Sequence, residues 1–252
     1  MNKNITILEE IDSTNSWLIS NAQQLPDNSA VMARKQVAGR GQRGTQWEAE
    51  PEKNLTLSLL LRPVALPAAK SFMLSEAVAV AVAQTIEEIE PNVNVSIKWP
   101  NDIYVGENKL GGVLIENSLG AENVNQSIVG LGLNINQKQF FSDAPNPVSL
   151  IQLTEKEYSV DEFAEEIVEA IVAEVNKLAD DYADLHQRYM ERLWRGKGTH
   201  TFVDVATGES FKAAVAAVEP TGYIQLQTAD RETRSYAFKE VAWEISPGKS
   251  RV

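Results

Sequence analysis

The residues best equipped for chemistry lie in Gly39-Arg-Gly-Gln-Arg-Gly-Thr-Gln-Trp47. Glycine lets backbone N–H groups approach a ligand closely, arginine offers forked donors to anionic oxygens, and tryptophan can stack on a base. The loop is suited to closing over an anion and a flat ring. Gly39 and Gly44 have the spacing of a P-loop, but Thr45-Gln46 stands where Lys-Ser/Thr is required. Gly39, Gly41 and Gly44 also have G-x-G-x-x-G spacing, yet the polar stretch after them does not read as the buried start of a crossover helix. Three further segments share this texture: Lys98-Trp-Pro-Asn-Asp102, Lys109-Leu-Gly-Gly112 and Gly130-Leu-Gly-Leu-Asn134. Each puts polar side chains beside a turn or glycines, where a ligand can reach backbone.

Elements must hold these segments together. A strand is expected over residues 4–8, then a helix capped by Ser13 or Thr14, then a strand over 31–36 that runs into the glycine-rich loop. Residues 54–62, NLTLSLLLR, read as a strand too apolar to be anything but central. Residues 67–90 predict a long buried helix, and strands follow over 93–98, 103–105, 109–117 and 126–134, with a loop over 140–148. Ser159-x-x-Glu162 predicts a capping box opening one long helix, whose apolar stripe runs from Phe163 to Leu193. Beyond Gly196-Lys-Gly198 five short strands are expected, over 201–205, 209–218, 222–228, 233–238 and 241–245, as a small β-barrel. The expected organisation is a domain over residues 1–195 and a second over 196–252.

Composition narrows the function classes. The 252 residues carry a formal charge of −12, which argues against bulk nucleic-acid binding and a DNA partner. Residues 34–43 are locally basic, pointing to a small anionic ligand. The chain has no cysteine, excluding disulfides and thiolate metal sites, and neither of its two histidines, His186 and His200, has a second plausible ligand nearby. No apolar leader or membrane-length run is evident, so a cytoplasmic protein without membrane partners is expected.

Asp12-Ser-Thr-Asn15, Gln36-x-x-Gly-Arg-Gly-x-x-Gly44 and the three segments above, in this order and spacing, closely resemble the biotin protein ligases over residues 8–136. The resemblance implies an α+β fold: a mixed sheet flanked by helices, of the class II synthetase-like biotin/lipoate ligase type, with a small SH3-like barrel at the C-terminus. It implies biotin and MgATP as substrates, a biotinyl-5′-AMP intermediate, and transfer to a lysine of a biotin carboxyl carrier domain. Lys109 and Arg40 are then the expected catalytic groups. Ser13, Thr14, Asn15, Gln36, Gly39, Arg40, Gly41, Gln42, Lys109, Gly112 and Gly130 are expected around biotin. Arg40, Gln42, Arg43, Trp47, Asn101, Lys109 and Asn134 are expected around ATP or the adenylate, and Asp102 on Mg²⁺.

Two departures from relatives carry expectations of their own. Gln42 stands where a second arginine is common, so retention of the activated intermediate should be weaker. The Ser-Thr-Asn motif starts at residue 13, which makes a DNA-binding regulator carrying an N-terminal helix-turn-helix the weaker expectation. A lipoate or octanoate ligase or transferase on the same fold is the enzymatic rival, and a non-catalytic biotin-sensing module the rival from another class. A sheet edge able to pair two chains leaves a homodimer open.

Overall fold

A computed structural model describes residues 5–42, 45–63, 65–141 and 146–244. The strands expected over the first part of the chain form a seven-stranded mixed sheet. Its strands are β1 (Ile5–Ile11), β2 (Ala30–Gln36), β3 (Leu55–Leu61), β4 (Val95–Lys98), β5 (Asp102–Val105), β6 (Asn108–Leu119) and β7 (Val124–Leu133). The spatial order is β1-β2-β3-β7-β6-β5-β4. β1 and β2 run parallel and the other neighbours antiparallel. β3 is interior and buried along its whole length, as its run of leucines requires.

Helices cover both faces unequally. α1 (Thr14–Asn21) packs on β2, β3 and β7 through a small cluster of Leu18, Ala22, Val31, Leu60 and Ile128. The main core lies on the other face, where α2 (Phe72–Ile89) and α4 (Val160–Asn176) meet Leu55, Leu57, Leu59 and Leu61. A short helix not foreseen from the sequence, α3 (Leu150–Thr154), has a complete capping box between Ser149 and Gln152.

The single long helix expected after Ser159 is two. Ser159 Oγ accepts from Glu162 N–H at 3.3 Å, but α4 ends at Asn176 and α5 (Tyr182–Glu191) begins after a turn. In that turn the amides of Asp180 and Asp181 both donate to the Lys177 carbonyl at 3.0 Å. The backbone keeps winding there, so Leu178, Leu185, Tyr189 and Leu193 stay buried in phase with the stripe. Periodicity reported burial, and burial does not require an unbroken helix.

The C-terminal region supplies the five short strands expected: β8 (His200–Asp204), β9 (Ser210–Val218), β10 (Ile224–Thr228), β11 (Thr233–Tyr236) and β12 (Val241–Trp243). They form one antiparallel sheet, order β11-β10-β9-β8-β12. Ile245, placed in the last expected strand, lies outside the described residues. Trp99 ties the two sheets together: its indole N–H donates to the Gly222 carbonyl at 3.1 Å, and its ring lies 6.3 Å from that of Trp243. Among the described residues no helix is long and apolar enough to cross a membrane.

Candidate active site

The glycines of the sequence motifs converge on one face of three neighbouring strands. Gly112 of β6 pairs with Gly132 of β7, and Thr56 of β3 pairs with Gly132 from the other side. Leu114 and Ser58 flank Gly130 in the same way. Residues two apart on a strand share a face, so Thr56, Ser58, Gly112, Gly130 and Gly132 line a shallow furrow on the α1 side.

What lies over each glycine shows what a side chain there would meet. A β-carbon on Gly130 would collide with the Asn15 carboxamide. On Gly132 it would collide with the Trp47 indole, and on Gly112 it would come to 3.2 Å from Asp102 Oδ1 and 3.5 Å from Lys109 Nζ. Three glycines thus seat, in sequence along the furrow, an amide, an indole and an ion pair.

The Asn15 end is a buried polar network. Ser13, the N-cap of α1, is extended at φ −157°, and its hydroxyl makes no capping bond. The amide N–H and hydroxyl of Thr14 both donate to Gln36 Oε1, at 2.8 and 3.1 Å. The Gln36 amide nitrogen, the donor of that side chain, lies beside Gly39. Ser58 Oγ lies 2.7 Å from Thr14 Oγ1 and 2.5 Å from Asn15 Oδ1, so its one proton serves either acceptor. Ser58 was missed in the sequence; the signal was Thr56 and Ser58 alternating with leucines in an otherwise apolar strand.

The Lys109 end owes its geometry to a bulge. Lys109 and Gly112 are three positions apart, which in a regular strand would put them on opposite faces. The β5–β6 register shifts between Ile103 and Tyr104, and this returns Lys109 to the face of Gly112. Its ammonium lies 2.7 Å from Asp102 Oδ1, with both side chains 26% exposed. The loop at Pro147 bridges the start of β6, Lys109 N–H donating to Asn146 O and Val148 N–H to Lys109 O, each at 2.9 Å. Lys98, from the same motif as Asp102, instead donates to Tyr104 OH at 3.1 Å, and burial pushes its ammonium pKa down.

Between the two ends the glycine-rich loop folds back on itself. Arg40 bridges Gln46, Gly41 N–H donates to Thr45 O at 2.7 Å, and Trp47 N–H to Gly39 O at 3.0 Å. Gln42 Nε2 reaches Val113 O at 3.5 Å. Arg40 pairs with Glu116, also unforeseen from the sequence, through NH2–Oε1 at 2.7 Å and NH1–Oε2 at 3.1 Å. Arg43 and Gly44 lie outside the described residues. Asn101 and Asn134 are buried and anchor backbone: Asn101 Nδ2 donates to Val113 O, and Asn134 Nδ2 to Val148 O at 3.1 Å. Trp47 Nε1 and Asn134 Oδ1 have no hydrogen-bond partner within the protein.

The arrangement offers uncharged donors and acceptors at the Asn15 end and, in Lys109 and Arg40, cations suited to anionic oxygens. Among the described residues no three His, Cys, Asp or Glu side chains gather as a metal-binding group. Asp102 alone fits a hard dication that takes its remaining ligands from phosphate oxygens and water.

The mixed sheet thus carries a buried polar network, a lysine–carboxylate pair and an arginine-bearing loop on one face. Residues 7–134 match the model of the biotin/lipoate A/B protein ligase family, and the chain belongs to that family. The bifunctional ligase/repressor BirA of Salmonella typhimurium is 34% identical over 57% of this chain and 44% of its own length. The biotin–acetyl-CoA-carboxylase ligase of Paracoccus denitrificans is 37% identical over 51% of this chain and 53% of its own length. The chain thus spans about half the length of these curated relatives. The biotin protein ligase of Aquifex aeolicus, solved with biotin and ATP, superposes with a TM-score of 0.79 over 97% of this chain and 100% of its own, at 23% identity, and shares the fold.

Proposed function

We propose that the protein activates biotin with ATP to biotinyl-5′-AMP and transfers the biotinyl group to a lysine of a biotin carboxyl carrier domain. The observation that carries this reading is the furrow itself: glycine-floored, with an uncharged amide and hydroxyl network at one end and a lysine at the other. The ureido ring of biotin needs both donors and acceptors, and Gln36, Asn15, Thr14 and Ser13 offer them. The names of the relatives point to the same acid.

In the first step a biotin carboxylate oxygen attacks the α-phosphorus of ATP, the bond to the bridging oxygen breaks, and pyrophosphate leaves. Lys109 would hold the carboxylate and the α-phosphate together, offsetting their mutual repulsion. Its pairing with Asp102 keeps the ammonium aimed into the furrow. Arg40, Gly41 and Gln42, with Arg43, would close over the adenylate, and the unpartnered Trp47 Nε1 and Asn134 Oδ1 would face the nucleotide. Magnesium, bound with ATP, would be held by Asp102 and phosphate oxygens and would neutralise phosphate charge. In the second step a neutral lysine amine of the carrier attacks the acyl carbon, forming the amide and releasing AMP.

The division at residue 196 belongs to this reading, with residues 1–195 as the catalytic unit and 196–252 as a separate β-domain. Biotin-dependent exchange of pyrophosphate into ATP tests the function, with lipoate and octanoate in parallel. Exchange with biotin alone supports it. Exchange with lipoate keeps the family and overturns the substrate, and biotin binding without exchange points to a sensing module.

A further inference from the structure

We propose that Glu116 is a positioning residue that couples the biotin end of the furrow to the arginine loop, an inference that rests on the function proposed above. Its carboxylate receives three donors from two places. Oε2 accepts from Asn15 Nδ2 at 2.9 Å and from Arg40 NH1 at 3.1 Å, while Oε1 accepts from Arg40 NH2 at 2.7 Å. Asn15 is 3% exposed and sits over Gly130, and its carbonyl oxygen accepts from Ser58. With the Ser58 proton on Asn15 Oδ1, hydrogen bonds run without interruption from Ser58 through Asn15 and Glu116 to Arg40.

The charge on Glu116 matters as much as its reach. A carboxylate only accepts, so it obliges Asn15 to turn its NH₂ toward β6 and its carbonyl toward Ser58. A glutamine side chain has one accepting oxygen and an NH₂ group that opposes the donors of Asn15 and Arg40. An exposed ion pair alone would be worth little, and here the Arg40 and Glu116 side chains are 42% and 29% exposed. The bond to buried Asn15 makes this pair different: whatever fixes the Asn15 amide against a ligand also stiffens the seat of Arg40. Biotin binding should therefore hold Arg40 in place for the nucleotide, through one side chain.

The test is calorimetric binding of α,β-methylene-ATP, which cannot release pyrophosphate, with and without saturating biotin. In the wild type biotin should tighten analogue binding about fivefold or more, the lower end of ordinary site-to-site coupling. In Glu116→Gln that ratio should fall toward one, with both ligands still binding. Loss of affinity with an unchanged ratio would assign Glu116 a merely structural part and overturn the inference. So would a wild-type ratio of one, or unchanged constants in both Glu116→Gln and Glu116→Ala. Thermal melting of each variant shows whether it is folded. A wild type that binds no biotin would overturn the proposed function along with this inference, whereas the other failures leave that function standing.

Discussion

The two faces of β3 and β7 are built from the same strands and occupied in opposite ways. On the helical side Leu55, Leu57, Leu59 and Leu61 of β3 join Val129, Leu131 and Leu133 of β7 in the main core. On the other side, in register, stand Thr56, Ser58, Gly130 and Gly132. One face excludes water with side chains, and the other withholds them so that Asn15 and Trp47 can lie directly on the strand backbone. The contrast teaches that a single strand can carry stability and recognition at once, because its residues alternate sides.

Substitutions should separate the two faces cleanly. The largest effect is expected from Lys109→Ala, which should slow biotin-dependent pyrophosphate exchange about 10²–10³-fold, the usual cost of removing one charge-stabilising donor, with little change in melting temperature. Exchange at the wild-type rate would remove Lys109 from the chemistry. A pair of substitutions on β3 and β7 draws the comparison most directly. Leu57→Ala should cost about 2–5 kcal/mol in chemical denaturation and leave the KM for biotin unchanged in the folded fraction. Gly130→Ala, whose methyl would collide with Asn15, should instead raise the KM for biotin. Finding both effects in either variant would dissolve the distinction between faces.

The helical side also buries an ionisable group. Glu76 of α2 is fully buried, facing His186 Nδ1 at 3.1 Å and the Tyr182 and Tyr189 side chains. Burial pushes its carboxyl up to about 8 and holds the His186 imidazole below its ordinary value. The folded state therefore holds a proton that the unfolded chain releases at lower pH. Stability from Glu76 is fully present below about 4.5 and is lost as pH rises through about 8. The slope in that window is at most about 1.4 kcal/mol per pH unit. Glu76→Gln, which still donates to His186, should flatten the decline in melting temperature; an unchanged profile would show that Glu76 does not titrate there.

The smallest effect is expected in the loop. Gln42 lies within reach of the Val113 carbonyl and carries no charge. Gln42→Arg should slow release of the biotinyl adenylate, by about tenfold if one charge-assisted hydrogen bond is gained. No slowing, followed by rapid filtration of the labelled intermediate, would end the expectation that this position weakens retention.

Much of this was legible from local pattern. The central position of β3 followed from its leucines, and the five C-terminal strands from their spacing. The glycine segments do meet on one face, as Gly112, Gly130 and Gly132 show. What escaped had identifiable causes. The break between α4 and α5 was hidden because the turn at Lys177–Asp181 preserves the apolar phase. Ser58 and Glu116 were missed because their significance lies in contacts made across strands, with Asn15 and Arg40, over separations that no local window spans. That the amide nitrogens of Asn101 and Asn134 bond the backbone carbonyls of Val113 and Val148, with Asn134 Oδ1 left without a partner, was likewise decided by contacts distant in sequence.

By itself the sequence determined which residues could do chemistry and which strands had to be buried, because side-chain type and period are local properties of the chain. The tertiary structure alone decided which groups meet. The register of β6 against β7 sets Gly112 opposite Gly132, and a bulge beside β5 returns Lys109 to their face. The packing of α1 lowers Asn15 onto Gly130. A shift of one residue in any of those pairings would send the polar groups into the leucine core and the leucines into the furrow, since every side chain on a strand changes face with its register.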